Sequence, residues 1–217
     1  MAQESQTLSG PQSVKGDSYY GKIAQNYEAR RAKQDWWAVE NTQMEALLDQ
    51  LPRGMSVVDV PFGTGRFVPM YLARGYDVHG LDASDAMIAQ AQAQLGTQFA
   101  QCKTVTGTAT ALPFADQAFD LLVSTRFLRD IITFADAKLA LREFARVTSG
   151  HAIIQLGEST ASKPMAVADD EAMGSRLSAR QNRHLLAGVG FQIVEKRLVK
   201  SDPDAQSEIY HMLCKKI

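Results

Sequence analysis

Val57-Val58-Asp59-Val60-Pro61-Phe62-Gly63-Thr64-Gly65-Arg66-Phe67 is the stretch on which the reading of this chain turns. Residues 56–60 form a short β-branched run bounded by Gly54 and Pro61, the pattern of a buried strand. It ends in a glycine turn, and residues 66–74 then carry helical spacing closed by Gly75. Glycine admits positive φ and lets the backbone approach a ligand closely, while a helix start offers unpaired N–H groups. The same turn also suits a purely structural strand–helix joint. It is not the three-glycine dinucleotide fingerprint, because no third glycine stands at the required spacing after Gly63 and Gly65.

Outward from this turn the chain alternates short apolar runs with amphipathic ones. Strands are expected at 76–81, 103–107, 119–125, 151–156, 191–195 and 207–214, and helices at 85–95, 135–147 and 177–187, with Ser84 as an N-cap. Repeated strand-then-helix units imply a parallel sheet covered by helices on both faces. The polar segment 200–206 is too short for a crossover, so the last two strands are expected to pair antiparallel. Upstream, residues 1–17 are rich in Ser, Gln and Gly and read as a flexible leader. Residues 18–217 read as one domain whose N-terminal part, about 18–51, is helical. Trp37, Met44, Leu47, Leu48 and Leu51 supply the apolar face of its second helix.

Composition narrows the function. Lys plus Arg is 23 against 24 Asp plus Glu, a formal net charge of -1, which argues against nucleic acid or an anionic membrane as the main partner. Cys102 and Cys214 stand 112 positions apart, so neither a disulfide framework nor a cysteine zinc site is expected. No His/Asp/Glu cluster has metal-ligand spacing, no apolar run is long enough to insert stably in a bilayer, and residues 1–10 are polar, without the basic start and apolar stretch expected of a signal peptide. A cytoplasmic setting follows as the expectation.

Seventeen residues past Gly65 lies Asp82, at the tip of the second strand in Val78-His79-Gly80-Leu81-Asp82-Ala83-Ser84. An acid there can accept hydrogen bonds from both hydroxyls of a ribose. By itself it serves equally as a helix cap; at this distance from the glycine turn, ribose binding is the stronger reading. Met87, one turn into the next helix, can lie against an adenine face or join the core. Two further segments complete the pattern: Gly107-Thr108-Ala109-Thr110-Ala111-Leu112-Pro113-Phe114, and Glu143-Phe144-Ala145-Arg146-Val147 before the fifth strand.

Taken in order, these four segments resemble the class I S-adenosylmethionine-dependent methyltransferases of the small-molecule type. The resemblance covers residues from about 19 to 215. It implies a Rossmann-like seven-stranded sheet of order 3-2-1-4-5-7-6 with strand 7 antiparallel, and S-adenosylmethionine as cofactor. By position, Asp59 would support the loop and its ligand, Gly63 and Gly65 would shape the methionine pocket, and Asp82, with Ala83 beside it, would hold the ribose. Met87 and Ala109 would face the adenine, and the Ser124 carbonyl would lie near the methionine amino group. Tyr27 and Arg30 on the first helix would cover the cofactor, the arginine pairing with its carboxylate. Two departures stand out. Pro61, which has no N–H to donate, replaces the usual first glycine of the loop. Thr108 replaces the common aspartate facing the adenine amino group, so that bond loses its charge.

Around the acceptor, the candidates are Tyr20, Trp36 and Trp37 from the first helices, Arg126, Phe127, Arg129 and Asp130 after strand 4, and Glu158 after strand 5. Tyr20, Arg126 and Asp130 are the assigned catalytic residues. The tryptophans also suit the core, and Arg129 with Asp130 also suits a surface pair. His79 reads as core and His184 as packed or solvated. The resemblance implies methyl transfer to a small-molecule or lipid-linked acceptor. A cofactor-binding accessory protein without turnover and a nicotinamide-dependent dehydrogenase are the alternatives.

Overall fold

The computed structural model describes residues 36–129, 131–163 and 166–217. Its elements are α1 (Trp36–Leu48), β1 (Ser56–Asp59), α2 (Val68–Leu72), β2 (Asp77–Asp82), α3 (Asp85–Leu95), a 3-10 turn (Gly96–Gln101), β3 (Cys102–Thr106), β4 (Phe119–Ser124), α4 (Phe134–Val147), β5 (Thr148–Ser159), α5 (Ala179–Ala187), β6 (Phe191–Asp202) and β7 (Ser207–Lys216). The seven strands form one sheet of order β3-β2-β1-β4-β5-β7-β6, the order implied by the family resemblance. β1 pairs in parallel with β2 and β4, and β7 pairs antiparallel with both β5 and β6. The leader and the first of the N-terminal helices lie outside the described residues.

Local chemistry sets the helix ends. Ser84 accepts a hydrogen bond from the Met87 amide and starts α3; Gly96, at φ +54°, ends it. Ser178 and Gln181 form a reciprocal capping box at the start of α5, which therefore begins two residues later than the apolar pattern suggests. α2 is a single turn instead of the expected 66–74, with Pro69 in its first turn where a missing N–H is tolerated. β5 and β6 run well beyond the expected 151–156 and 191–195. β6 is the sheet edge, its Glu195, Lys196, Arg197 and Lys200 break the apolar alternation, and two register shifts interrupt its pairing. The β6–β7 turn is accordingly only residues 203–206.

Apolar clusters sit on the two faces of the sheet. One joins Leu122, Ile154 and Met212 to Leu141 and Phe144 of α4; the other joins Val57, Val123 and Ile153 to Met44, Leu47 and Leu48 of α1 and Tyr71 of α2. His79 departs from its core reading: its side chain keeps 21% exposure, bonds Asp77 and meets Phe119 edge-on with ring centroids 4.9 Å apart. Glu143 and Arg146 of α4 hold the Leu112–Phe114 loop, Glu143 accepting from the Leu112 amide at 2.7 Å and Arg146 donating to the Leu112 and Phe114 carbonyls. Two of the sequence motifs thus meet in space. Among the described residues, no helix is long and apolar enough to cross a membrane.

Candidate functional site

The C-terminal ends of β1, β2 and β4 open into a cavity of about 790 Å³. In an open parallel sheet this is where neighbouring loops diverge and leave space for a ligand. β1 delivers Asp59 to its floor, and the following turn delivers Pro61 and Gly63, with the Val60–Pro61 peptide cis and Gly63 at φ +57°. β2 delivers Asp82 and Ala83. Met87 and the Thr108–Ala109 turn close one end, and Trp37, Arg126 and Phe127 the other.

Asp82 is 7% exposed and braces the glycine turn. One of its oxygens accepts from the Gly63 amide at 2.7 Å and the other from the Ser84 amide at 2.9 Å. A carboxylate offers about four lone-pair sites, so capacity remains for a ligand hydroxyl beside these amides. Burial raises the Asp82 carboxyl above its usual range, against the opposing pull of these amide bonds. Asp59 is 3% exposed, and the Tyr71 hydroxyl donates to it at 3.0 Å. Burial pushes its carboxyl up to about 8; the Tyr71 bond opposes this and the nearby Asp82 charge adds to it.

Asp59, Pro61, Gly63, Asp82, Ala83, Met87, Thr108, Ala109 and Arg126 line the cavity. Gly65 does not: at φ +69°, a Cβ there would stand 2.6 Å from Leu95 Cδ1, so this glycine answers to close packing against α3. Ser124 is buried behind the wall, which Thr125 forms instead. The Thr108 hydroxyl lies 3.0 Å from that of Thr110. Tyr20, Tyr27, Arg30 and Asp130 lie outside the described residues. Of the acceptor candidates, Trp37 and Phe127 reach the cavity, whereas Glu158 turns to the far edge of the sheet and pairs with Lys196 at 2.6 Å. His184 is solvent-exposed on α5.

Sequence reasoning missed a buried polar cluster beside this cavity. Glu40 of α1 is fully buried and receives Arg66, Arg126 and the Gln155 side-chain amide. The Gln155 amide nitrogen also lies 3.1 Å from His211 Nε2, and its side-chain oxygen accepts from the Arg126 amide at 3.0 Å. The Arg66 guanidinium lies 3.3 Å from the centre of a Trp37 ring, and that of Arg126 lies 4.1 Å from a Trp36 ring. Burial alone would raise the Glu40 carboxyl, but His211 and the two guanidiniums outweigh it and hold it well below the usual carboxylate range. A signal existed: Glu40 occupies a position in the 37–44–47–51 stripe where an apolar residue belongs.

Comparison with known proteins follows the same outline. Residues 58–154 match the family model described as a methyltransferase domain. A demethylmenaquinone methyltransferase of Renibacterium salmoninarum is 37% identical over 95 residues, covering 44% of this chain and 37% of that protein. The match thus spans well under half the length of that relative. Among solved structures, the 1,6-didemethyltoxoflavin-N1-methyltransferase of Burkholderia thailandensis, with bound S-adenosylhomocysteine, superposes with TM-score 0.67 at 15% identity over 96% of this chain and 93% of its own. The cyclase SpnF superposes with TM-score 0.69 at 15% identity over 93% and 94%. The fold is that of the class I methyltransferases, and the resemblance carried by the four sequence segments holds.

Proposed function

We propose, from this fold and the matched segment, that the protein is an S-adenosylmethionine-dependent methyltransferase acting on a small-molecule or lipid-linked acceptor. One observation carries the reading: the Asp82 carboxylate, locked by the amides of Gly63 and Ser84, faces a cavity at the ends of β1, β2 and β4. The donor set fits the cofactor. Asp82 would hold the ribose hydroxyls, Met87 and the Thr108–Ala109 turn the adenine, and Asp59 and Gly63 the amino-acid part.

When bound, the cofactor supplies an electrophilic methyl group on a sulfonium sulfur. The chain's own work is to bind, orient and exclude water. Trp37, Phe127, Ile131 and Ile132 present an apolar wall suited to an aromatic or prenylated acceptor, with Arg126 within it. Tyr20, Arg126 and Asp130 retain the proposed catalytic roles, and Tyr27 and Arg30 the proposed cover over the cofactor. Cys102 and Cys214 are both free thiols, which suits a reducing compartment, and on that ground we place the protein in the cytoplasm.

The test is binding of S-adenosylhomocysteine by calorimetry, followed by assay of labelled methyl transfer to a panel of phenols, quinols, amines and carboxylates. Binding with turnover on any of them establishes the reading. Binding without turnover across the panel favours the accessory-protein alternative, which Pro61 and Thr108 support. Binding of NADH in place of S-adenosylhomocysteine would return the dehydrogenase alternative.

A further inference from the structure

We propose that Asp59 stands in the ligand-free protein as a neutral carboxylic acid and gives its proton to solvent when a ligand bearing an ammonium group is seated in the cavity. The inference rests on the reading above, since S-adenosylmethionine and S-adenosylhomocysteine both carry such a group on their amino-acid part.

The geometry is unusual for an aspartate. Asp59 ends the central strand β1, in register with Gly80 of β2 and Val123 of β4, and water reaches 3% of it. From α2 it meets the Tyr71 hydroxyl, a neutral donor; from β2 it meets Asp82, a second acid; β4 brings no titratable group at its register position. Among the described residues no Lys, Arg or His lies within ion-pair distance of it. The arginines that line the same cavity, Arg66 and Arg126, are drawn toward Glu40. A buried carboxylate with one neutral donor and a like-charged neighbour is expensive to maintain, and protonation removes that cost. Its displacement to about 8 expresses the same balance.

An arriving ammonium reverses the balance. The O–H bond of the acid breaks, the proton passes to solvent, and the resulting carboxylate faces a positive charge. At Asp59 the charges balance: the ammonium of the ligand takes the place of the departing proton. For a carboxyl titrating near 8, binding at lower pH must drive that ionisation, so affinity should rise roughly tenfold per pH unit between pH 6 and 7.

The experiment is calorimetric titration of the full chain with S-adenosylhomocysteine at pH 6.5, in buffers of differing ionisation enthalpy, which counts protons exchanged. Close to one proton should be released per site. 5′-Methylthioadenosine, which keeps the adenosine and thioether and lacks the amino-acid part, should release none. Asp59→Asn should bind S-adenosylhomocysteine with no proton release and without the pH dependence. Tyr71→Phe removes the bond that favours the carboxylate and should weaken binding at pH 7. Should Asp59→Asn fail to fold, infrared difference spectra of the wild type should show a protonated-carboxyl band lost on binding S-adenosylhomocysteine. Binding by the wild type with no net proton exchange overturns the inference, as does undiminished release by Asp59→Asn. No binding of S-adenosylhomocysteine under any condition overturns the proposed function instead.

Discussion

Arg126 Nε lies 3.0 Å from Glu40 Oε2, joining two residues 86 positions apart, one on the first described helix and one just past β4. Glu40 is fully buried and Arg126 is 8% exposed. Arg126 adopts φ +54°, a left-handed conformation that costs an ordinary side chain about 1–2 kcal/mol. The bond from its amide to Gln155 and the bonds from its guanidinium to Glu40 hold it there. The contact places α1, and with it Trp37, over the end of the sheet where the cavity opens.

Glu40→Ala leaves two guanidiniums facing a buried gap, and stability should fall by about 3–5 kcal/mol in denaturant titration. The effect has a pH signature. A carboxyl held below its unfolded value near 4.5 contributes stability that is present above that pH and is lost as pH falls toward its folded value. Wild-type stability should therefore decline as pH drops below about 4.5, and Glu40→Gln should lack that component of the decline.

Asp59 works in the opposite direction. Its folded value, near 8, lies above the unfolded 3.8, so the folded state holds the extra proton and stability is lost as pH rises between the two. Asp59→Asn should be more stable than the ligand-free wild type at neutral pH. Its advantage should widen by about 1.4 kcal/mol per pH unit at most and level off above pH 8, as read by thermal or urea unfolding across pH.

Asp82→Ala removes the acceptor of the Gly63 and Ser84 amides and the proposed ribose ligand together. Affinity for S-adenosylhomocysteine should drop by about 1–3 kcal/mol, roughly 5- to 150-fold, by calorimetry. Unchanged affinity in a folded variant would remove the ribose assignment.

Gly80→Ala tests the packing beneath the glycine turn. A Cβ at this β2 position would lie 2.1 Å from the Phe62 ring, which lines the cavity. The ring must move, so about 1–3 kcal/mol of stability should be lost, and ligand affinity should fall with it. Urea denaturation and calorimetry on the same variant check both effects.

Much of this molecule was legible along the chain. The Ser84 cap, the α3 span, the glycine turn after β1 and the antiparallel close of the sheet depend on residues a few positions apart, whose backbone geometry restricts them to few choices. Strand ends were less legible. β6 carries charges on a sheet edge, where the apolar alternation that marks a strand is not required. Gly65 looked like a cavity residue because its spacing from Gly63 is that of a ligand turn; only the position of Leu95 on α3 shows that packing demands it.

The amino-acid order by itself determined the parallel α/β class, the glycine turn and the acid at the tip of β2, because each is written in local periodicity or in a residue's own conformational freedom. Only the tertiary structure decided that Glu40, Arg66, Arg126, Gln155 and His211 form one buried cluster, and that Asp59 lacks a cationic partner among the described residues. Those facts depend on which strands lie side by side and in what register. Burial then sets the charge of each group through neighbours as much as 171 residues away, as between Glu40 and His211.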